Sequence, residues 1–372
     1  MAKVVLLGSF APSLVNFRGK LIQDLVNRGH EVIGCASGED DAIAAELEAW
    51  GARYIPLNLE RTGLNPIADL GSMNEMIRLF REIKPDGIFA YTIKPVVYGS
   101  IAARLAGVPR MFSMITGLGY AFMGSTRKQR IVGGIAKLMY RTALKTNTSV
   151  FFQNEDDAAL FADLGLMESE KAVLTGGSGV DLEHYELAPI PDGPVRFLMC
   201  ARILVEKGVR EYFEAAQLVH QSFPEAEFGF VGPFDVGNPS AIDEKALNAM
   251  NPGGLVKLHG GTDDVRPWFR ECSVYVLPSY REGTPRTVLE AAAMGRPVIT
   301  TDSPGGCRQT LREGETGMLV PVQDSNALAD AMKWFLENPE QIPKMGEAGR
   351  NYMAERFDVK VVNRTIIDTM GF

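Results

Sequence analysis

Residues 278–304 read PSYREGTPRTVLEAAAMGRPVITTDSP, and this stretch decides the fold. It starts where the apolar run Val274-Tyr275-Val276-Leu277 ends, crosses a loop holding Gly283 and Pro285, and becomes helical over VLEAAAMG. An apolar strand follows at 296–300. Strand, glycine-containing loop, helix and strand form the repeating unit of a parallel sheet. The same loop predicts chemistry. A helix N-terminus offers backbone N–H groups and a positive dipole end to an anion. Glu282 and Glu290, eight residues apart, can accept hydrogen bonds from sugar hydroxyls. Phosphate and hydroxyls side by side describe a sugar nucleotide.

A second unit supports the first. Residues 195–210, VRFLMCARILVEKGVR, place a buried strand before Arg202, and Lys207-Gly208 opens the next helix. A planar guanidinium fork and a mobile ammonium are a common pairing on diphosphate oxygens. Cations at a helix start oppose the dipole, so helix propensity does not explain them, whereas an anion between them would. Loops that follow strands of one parallel sheet converge on its carboxyl edge, where open α/β sheets bind ligands.

Arg202, Lys207, the Glu282-x7-Glu290 loop and GRPVITTDSPG (295–305) together resemble the family 4 retaining glycosyltransferases of the GT-B fold. Within them the chain is similar to the PglA-like subgroup, which adds an N-acetylhexosamine to a polyprenyl-diphosphate-linked sugar. GSFAPSLVNFRG (8–19), RTGLNP (61–66), YTIKPVVYGSIAA (91–103) and ITGLGYAF (115–122) fit that subgroup. The resemblance implies an α/β GT-B fold: two Rossmann-like doubly wound domains facing an interdomain cleft. It implies a UDP-sugar donor as substrate, no cofactor and no required metal, and retention of anomeric configuration. By resemblance, Glu282 accepts from the transferred sugar, Glu290 from the ribose, and Arg202 and Lys207 hold the diphosphate. Backbone groups around Gly283, Thr284 and Val288 meet sugar and phosphates.

The bulk numbers agree with an enzyme of this size. At 372 residues the chain exceeds one ordinary core, so two domains are expected. With 46% apolar and 23% charged residues it is globular in composition. A net charge of −8 argues against general nucleic-acid binding. Cys35, Cys200, Cys272 and Cys307 show no paired spacing and read as buried free thiols, which suits a reducing compartment. No signal peptide and no apolar run of membrane-spanning length is read. The expected location is cytoplasmic, peripheral on the inner face of the plasma membrane.

Strand and helix signals alternate from VVLLG (4–8) through AVLTG (172–176), and restart with VRFLMC (195–200). The Gly/Pro/acidic stretch 176–194 reads as the linker. The domains are therefore placed at 1–185 (acceptor binding) and 186–355 (nucleotide-sugar binding), with 356–372 a helix returning to the first. The first helix is read from Phe17 to Arg28.

The N-terminal half supplies further candidates. Gly8 would let its loop approach the donor phosphates, although GSFAPS lacks the GxGxxG spacing of a dinucleotide site. Arg18 is read either as facing the acceptor diphosphate or as a solvated cation at a helix start. Lys94, Thr116 and Gly117 end strands and should overlook the cleft. The histidines, His30, His184, His220 and His259, lie outside these loops, so no histidine base is assigned. Asp156-Asp157 reads as a helix first turn rather than a metal pair. Residues 119–154 carry Arg127, Lys128, Arg130, Lys137, Arg141 and Lys145 and no acid. The basic helix near 126–145 has apolar residues interleaved with its cations and is expected to touch an anionic membrane surface. The alternative is an ordinary domain helix.

Two rival functions remain at this stage. A sugar-nucleotide epimerase of the same fold would need acids and a base over C2 of the sugar, which the sequence does not locate. A non-catalytic sugar-nucleotide-sensing module is the other, and the four intact candidates, Arg202, Lys207, Glu282 and Glu290, speak against it.

Overall fold

A computed structural model describes residues 1–60, 66–118 and 127–372. The chain divides into two compact units, Met1–Ser178 with Lys360–Phe372, and Gly179–Val359.

The first unit alternates β1 (Lys3–Leu7), α1 (Pro12–Asn27), β2 (Glu31–Ser37), α2 (Asp41–Ala49), β3 (Arg53–Leu57), α3 (Pro66–Ile83) and β4 (Gly87–Tyr91). It continues with α4 (Ser100–Ala106), β5 (Arg110–Ile115), α5 (Arg127–Leu144), β6 (Ser149–Phe152), α6 (Glu155–Asp163) and β7 (Ala172–Leu174). The sheet order is β3-β2-β1-β4-β5-β6-β7, and every strand pair is parallel. Alternate side chains of β1 go to opposite faces, as strand geometry demands. Val5 and Leu7 join one apolar cluster, while Val4 and Leu6 join another with Leu14, Leu21 and Leu25 of α1.

The second unit holds β8 (Arg196–Cys200), α7 (Val209–His220), β9 (Glu227–Val231), α8 (Glu244–Met250), β10 (Val256–Leu258) and α9 (Arg266–Glu271). Then come β11 (Val274–Leu277), α10 (Arg286–Ala293), β12 (Val298–Thr301), β13 (Gly317–Val320), α11 (Ser325–Glu337) and α12 (Gln341–Tyr352). Its sheet order is β10-β9-β8-β11-β12-β13, again all parallel. α13 (Val359–Met370) returns to the first unit, where Val362, Ile366, Ile367 and Met370 enter the cluster of β1 and α1. Arg110 secures its end, stacking on the Phe372 ring at 4.0 Å and donating to the Met370 and Gly371 carbonyls at 3.1 Å.

Two differences from the sequence reading have local causes. α1 starts five residues earlier than expected, because Pro12 suits the first helical turn, where its missing N–H is no loss. The stretch read as linker is for the most part fastened to the second unit. Arg296, fully buried, donates to the Ala188 and Pro189 carbonyls at 2.8 Å, and Arg350 donates to the Leu182 carbonyl at 3.0 Å. Buried carbonyls need donors, and here two distant arginines supply them.

The pair Asp156-Asp157 lies in the first turn of α6, where the Asn154 side chain accepts from the Asp157 N–H at 2.8 Å. Among the described residues no group of three or more His, Cys, Asp or Glu side chains is placed to hold a metal ion, and no helix is long and apolar enough to cross a membrane.

Candidate functional site

In the second unit the strand order reverses direction at β8, which has β9 on one side and β11 on the other. A crevice forms outside the carboxyl ends of the strands at such a switch point. The loop after β8 carries Arg202 and Lys207, and the loop after β11 carries Glu282, so the two sequence motifs flank this point.

Gly208 explains how closely the loops approach. It begins α7 with φ +75°, and a Cβ there would lie 2.1 Å from the Pro278 carbonyl oxygen. Glycine alone allows both the left-handed backbone and the contact. The Glu206 carbonyl then accepts from the Tyr280 N–H at 2.8 Å and from the Ser279 hydroxyl at 3.0 Å. These bonds bring the Lys207 ammonium onto the Glu282 carboxylate as a direct ion pair. The single Ser279 hydroxyl proton is shared between the Glu206 carbonyl and the same carboxylate oxygen, 2.7 Å away. Both charged side chains are largely covered, and a carboxylate so held is fixed in orientation.

The Glu282–Thr284 turn rests on Gly305 and Gly306, which follow β12. The Gly306 N–H donates to the Glu282 carbonyl at 2.8 Å, and a Cβ on Gly306 would fall 1.9 Å from the Gly283 carbonyl oxygen. Thr301 donates its hydroxyl to the Ser279 carbonyl. Ser279, Thr301, Gly305 and Gly306 support the site without having been singled out from the sequence. The glycine pair in SPGG after a strand was the available signal.

Glu290 sits in α10 and is only 4% exposed. The sequence argument that an acid on an apolar helix face needs a partner is met twice. Tyr185 donates to its Oε1 at 2.8 Å, and Arg286, one turn back, lies 2.6 Å from the same oxygen. Burial pushes the Glu290 carboxyl up, while Arg286 and the Tyr185 hydroxyl pull it down and only partly compensate. Val288 is fully buried, and its N–H donates to the Pro285 carbonyl at 3.1 Å within the helix's own first turn. That bond, unforeseen in the sequence, occupies the donor expected to meet a ligand.

Arg202 does not join the Lys207–Glu282 pair. Its Nη1 donates to Asp235 Oδ2 at 2.6 Å, in the loop after β9.

In the first unit the switch point lies between β1 and β4. A Cβ on Gly8 would meet the Tyr91 hydroxyl at 2.5 Å, so a larger residue there would displace the buried Tyr91 ring. Ser13 and Tyr91 share a hydrogen bond of 2.9 Å, and Thr92, in the left-handed region at φ +68°, donates to the Ser9 hydroxyl at 3.0 Å. Lys94 forms an ion pair of 2.6 Å with Asp69, whose second oxygen accepts from Tyr98 at 2.9 Å. Thr116 and Gly117 are half-buried just past β5, with Gly117 at φ +145°.

Arg18 is placed otherwise than the second of its sequence readings had it. It is 2% exposed, with its guanidinium 5.1 Å from the Tyr91 ring centre and 2.7 Å from the Met114 sulfur. Residue 18 lies on the face of α1 that packs on the sheet, so it is not the solvated cation of the second reading. Residues 61–65 of RTGLNP and 119–122 of ITGLGYAF fall outside the described residues. The four cysteines are free and buried; burial pushes Cys35, Cys200 and Cys272 up to about 12 and raises Cys307, so none is poised as a nucleophile.

The model "Glycosyl transferase 4-like" matches residues 3–154 and "Glycosyl transferases group 1" matches 194–338. The chain is 28% identical over 340 residues (88% of this chain, 87% of the relative) to N,N'-diacetylbacillosaminyl-diphospho-undecaprenol alpha-1,3-N-acetylgalactosaminyltransferase of Campylobacter jejuni. It is 27% identical over 285 residues (72% of this chain, 70% of the relative) to UDP-Gal:alpha-D-GlcNAc-diphosphoundecaprenol alpha-1,3-galactosyltransferase of Escherichia coli. Among solved structures, HepE of Anabaena in complex with UDP and glucose matches with a TM-score of 0.81 at 18% identity, covering 100% of both chains. Sheet order, paired loops and matches to both halves agree: the chain belongs to the family 4 glycosyltransferases of the GT-B fold, and is a hexosyltransferase.

Proposed function

We propose that this protein moves an N-acetylhexosamine from a UDP-sugar to a polyprenyl-diphosphate-linked saccharide, with retention of configuration, in the assembly of a surface or protein-linked glycan. The observation that carries the reading is the Lys207–Glu282 pair, which joins an anion-binding group to a hydroxyl acceptor at the switch point of one sheet. The names of the Campylobacter and Escherichia relatives support the lipid-linked acceptor, and the UDP and glucose held by HepE support the donor.

The bond between the sugar C1 and the β-phosphate oxygen breaks, and its electron pair stays on that oxygen. Lys207 and Arg202 stabilise the charge as it develops, with no metal required for that purpose. The acceptor hydroxyl bonds C1 on the same face and gives its proton to the departing phosphate oxygen. Glu282 orients the sugar hydroxyls and is not glycosylated. Glu290, held by Tyr185 and Arg286, accepts from the ribose. Gly283 and Thr284 line the turn, and Gly8, Lys94, Thr116 and Gly117 remain candidates in the first unit.

The deciding experiment supplies UDP-hexosamines and UDP-uronic acids with a short polyprenyl-diphosphate sugar. UDP should appear only when the acceptor is present, with an α-linked product from an α-linked donor. Conversion of the sugar nucleotide without acceptor would instead indicate an epimerase. UDP binding with no turnover on any acceptor would indicate a sensor.

The membrane reading gains a specific surface. On α5, Ile135 is 48% and Leu138 63% exposed, and Arg130 is exposed on the flank beside them; Arg141, on the same flank, donates to the Leu164 and Gly165 carbonyls at 2.8 Å. An exposed apolar pair beside a basic flank is the pattern of an interfacial helix, peripheral on the inner leaflet in this reading. Replacing Ile135 and Leu138 together by asparagine should lower co-sedimentation with anionic vesicles about tenfold, at roughly 1 kcal/mol or less per lost apolar contact. Unchanged co-sedimentation would return α5 to an ordinary domain helix.

A further inference from the structure

The Arg202–Asp235 pair is not a chance surface contact. The loop after β9 is laced to the segment that carries Arg202. Ile203 donates to the Pro233 carbonyl at 3.1 Å, Val205 to the Ser240 carbonyl at 2.9 Å, and Ile242 to the Ile203 carbonyl at 3.2 Å. At the root of the loop a Cβ on Gly232 would lie 1.7 Å from the Ala201 carbonyl oxygen, so only glycine permits the approach. The carboxylate is oriented as well as placed. Asn238 donates its side-chain amide to Asp235 Oδ2 at 3.0 Å, and its backbone N–H to the Asp235 carbonyl at 3.1 Å. Arg202 Nη1 reaches the same Oδ2 at 2.6 Å. Thus each of the two cations assigned to the donor diphosphate is matched to one carboxylate, Lys207 to Glu282 and Arg202 to Asp235.

The two pairs differ in what happens when a diphosphate competes. Glu282, once released, retains the Ser279 hydroxyl and can take sugar hydroxyls. Among the described residues Asp235 retains its Asn238 contacts alone, and it stays fixed by the backbone lacing, facing an anion. We propose that Asp235 is a resident counter-ion of Arg202 that competes with the donor's diphosphate, and so sets donor affinity and favours release of UDP. The inference rests on the donor-site reading given above. It assigns to the β9 loop a positioning role in the transfer that acts through Arg202.

The test is UDP binding by calorimetry, with donor KM and kcat measured on the same preparations. D235N keeps the shape and the acceptor oxygen for Asn238 but removes the charge. It should bind UDP about threefold to tenfold tighter, as expected for removing an anion that competes at a half-exposed cation. Its donor KM should fall by a similar factor while kcat does not rise. In an R202A background the same change should give no gain, because the competition is for the guanidinium. D235S serves the same purpose should D235N melt early. Weaker or unchanged UDP binding in D235N, or a gain that persists without Arg202, would overturn the counter-ion role. If R202A itself leaves UDP affinity unchanged, the donor-site reading falls and the inference with it. If R202A weakens UDP binding and D235N does not strengthen it, the inference alone fails.

Discussion

Replacing Lys207 by alanine should lower the transfer rate by roughly 10²- to 10³-fold, the usual cost of removing one preorganised group from developing charge. The chain should remain folded, because the Lys207 backbone is held by its own turn and by the Gly208–Pro278 contact rather than by the ammonium. Glu282→Gln should lose activity to a similar degree for a different reason. The amide keeps the size of the carboxylate but gives up the charge that binds Lys207, and it can offer an N–H where the sugar needs an acceptor. Unfolding monitored by circular dichroism, beside the UDP-release assay, separates loss of chemistry from loss of structure. Near-normal turnover in either variant would remove the site assignment.

Gly208→Ala should be the most damaging single methyl group in the second unit. The left-handed backbone at φ +75° costs about 1 kcal/mol for a residue with a Cβ. The new Cβ would lie 2.1 Å from the Pro278 carbonyl oxygen, backbone that cannot move without shifting the end of β11. Together these should destabilise the unit by roughly 2–4 kcal/mol, the range of backbone-strain and overpacking effects. For a unit of this size that lowers the melting transition by about 5–15 °C. Activity should fall with it, since the same contact sets the spacing of Lys207 and Glu282. Gly314→Ala is the control: its φ is +71°, but no atom lies within 4 Å of the added Cβ, so only the backbone term remains. Equal melting temperatures for the two variants would show that the close approach to Pro278 does not hold the loops together.

Much of the architecture was legible in the chain because it depends on local pattern. Apolar runs such as VVLLG and SVYVLP cannot be exposed, and the amphipathic stretches between them cannot stand alone, so a parallel βα repeat follows. The caps were equally readable, as at Asn154 ahead of Asp156-Asp157. Helix starts were less so. Pro12 moved the start of α1 forward, and Arg18 lies buried beside Tyr91 where a solvated cation was one of the two readings. Linker composition also misled, because Gly/Pro/acidic content says nothing of remote donors. Arg296 and Arg350 lie more than a hundred residues from the linker carbonyls at 182, 188 and 189 that they satisfy.

For the site, residue types in their loop context, together with the family resemblance, nominated Arg202, Lys207, Glu282 and Glu290, since phosphate and hydroxyl recognition draws on few side chains in few loop positions. The sequence by itself determined the element order, the division into two units and the residue types at the candidate site. Only the tertiary structure decided which of them touch. Strand order set β8 beside β11, so Lys207 met Glu282; β9 on the other flank gave Arg202 to Asp235; and Tyr185 with Arg286 took the buried Glu290. The physical reason is that pairing between strands distant in the chain is fixed by burial and sheet register summed over a whole unit, whereas a motif reports only its own few residues.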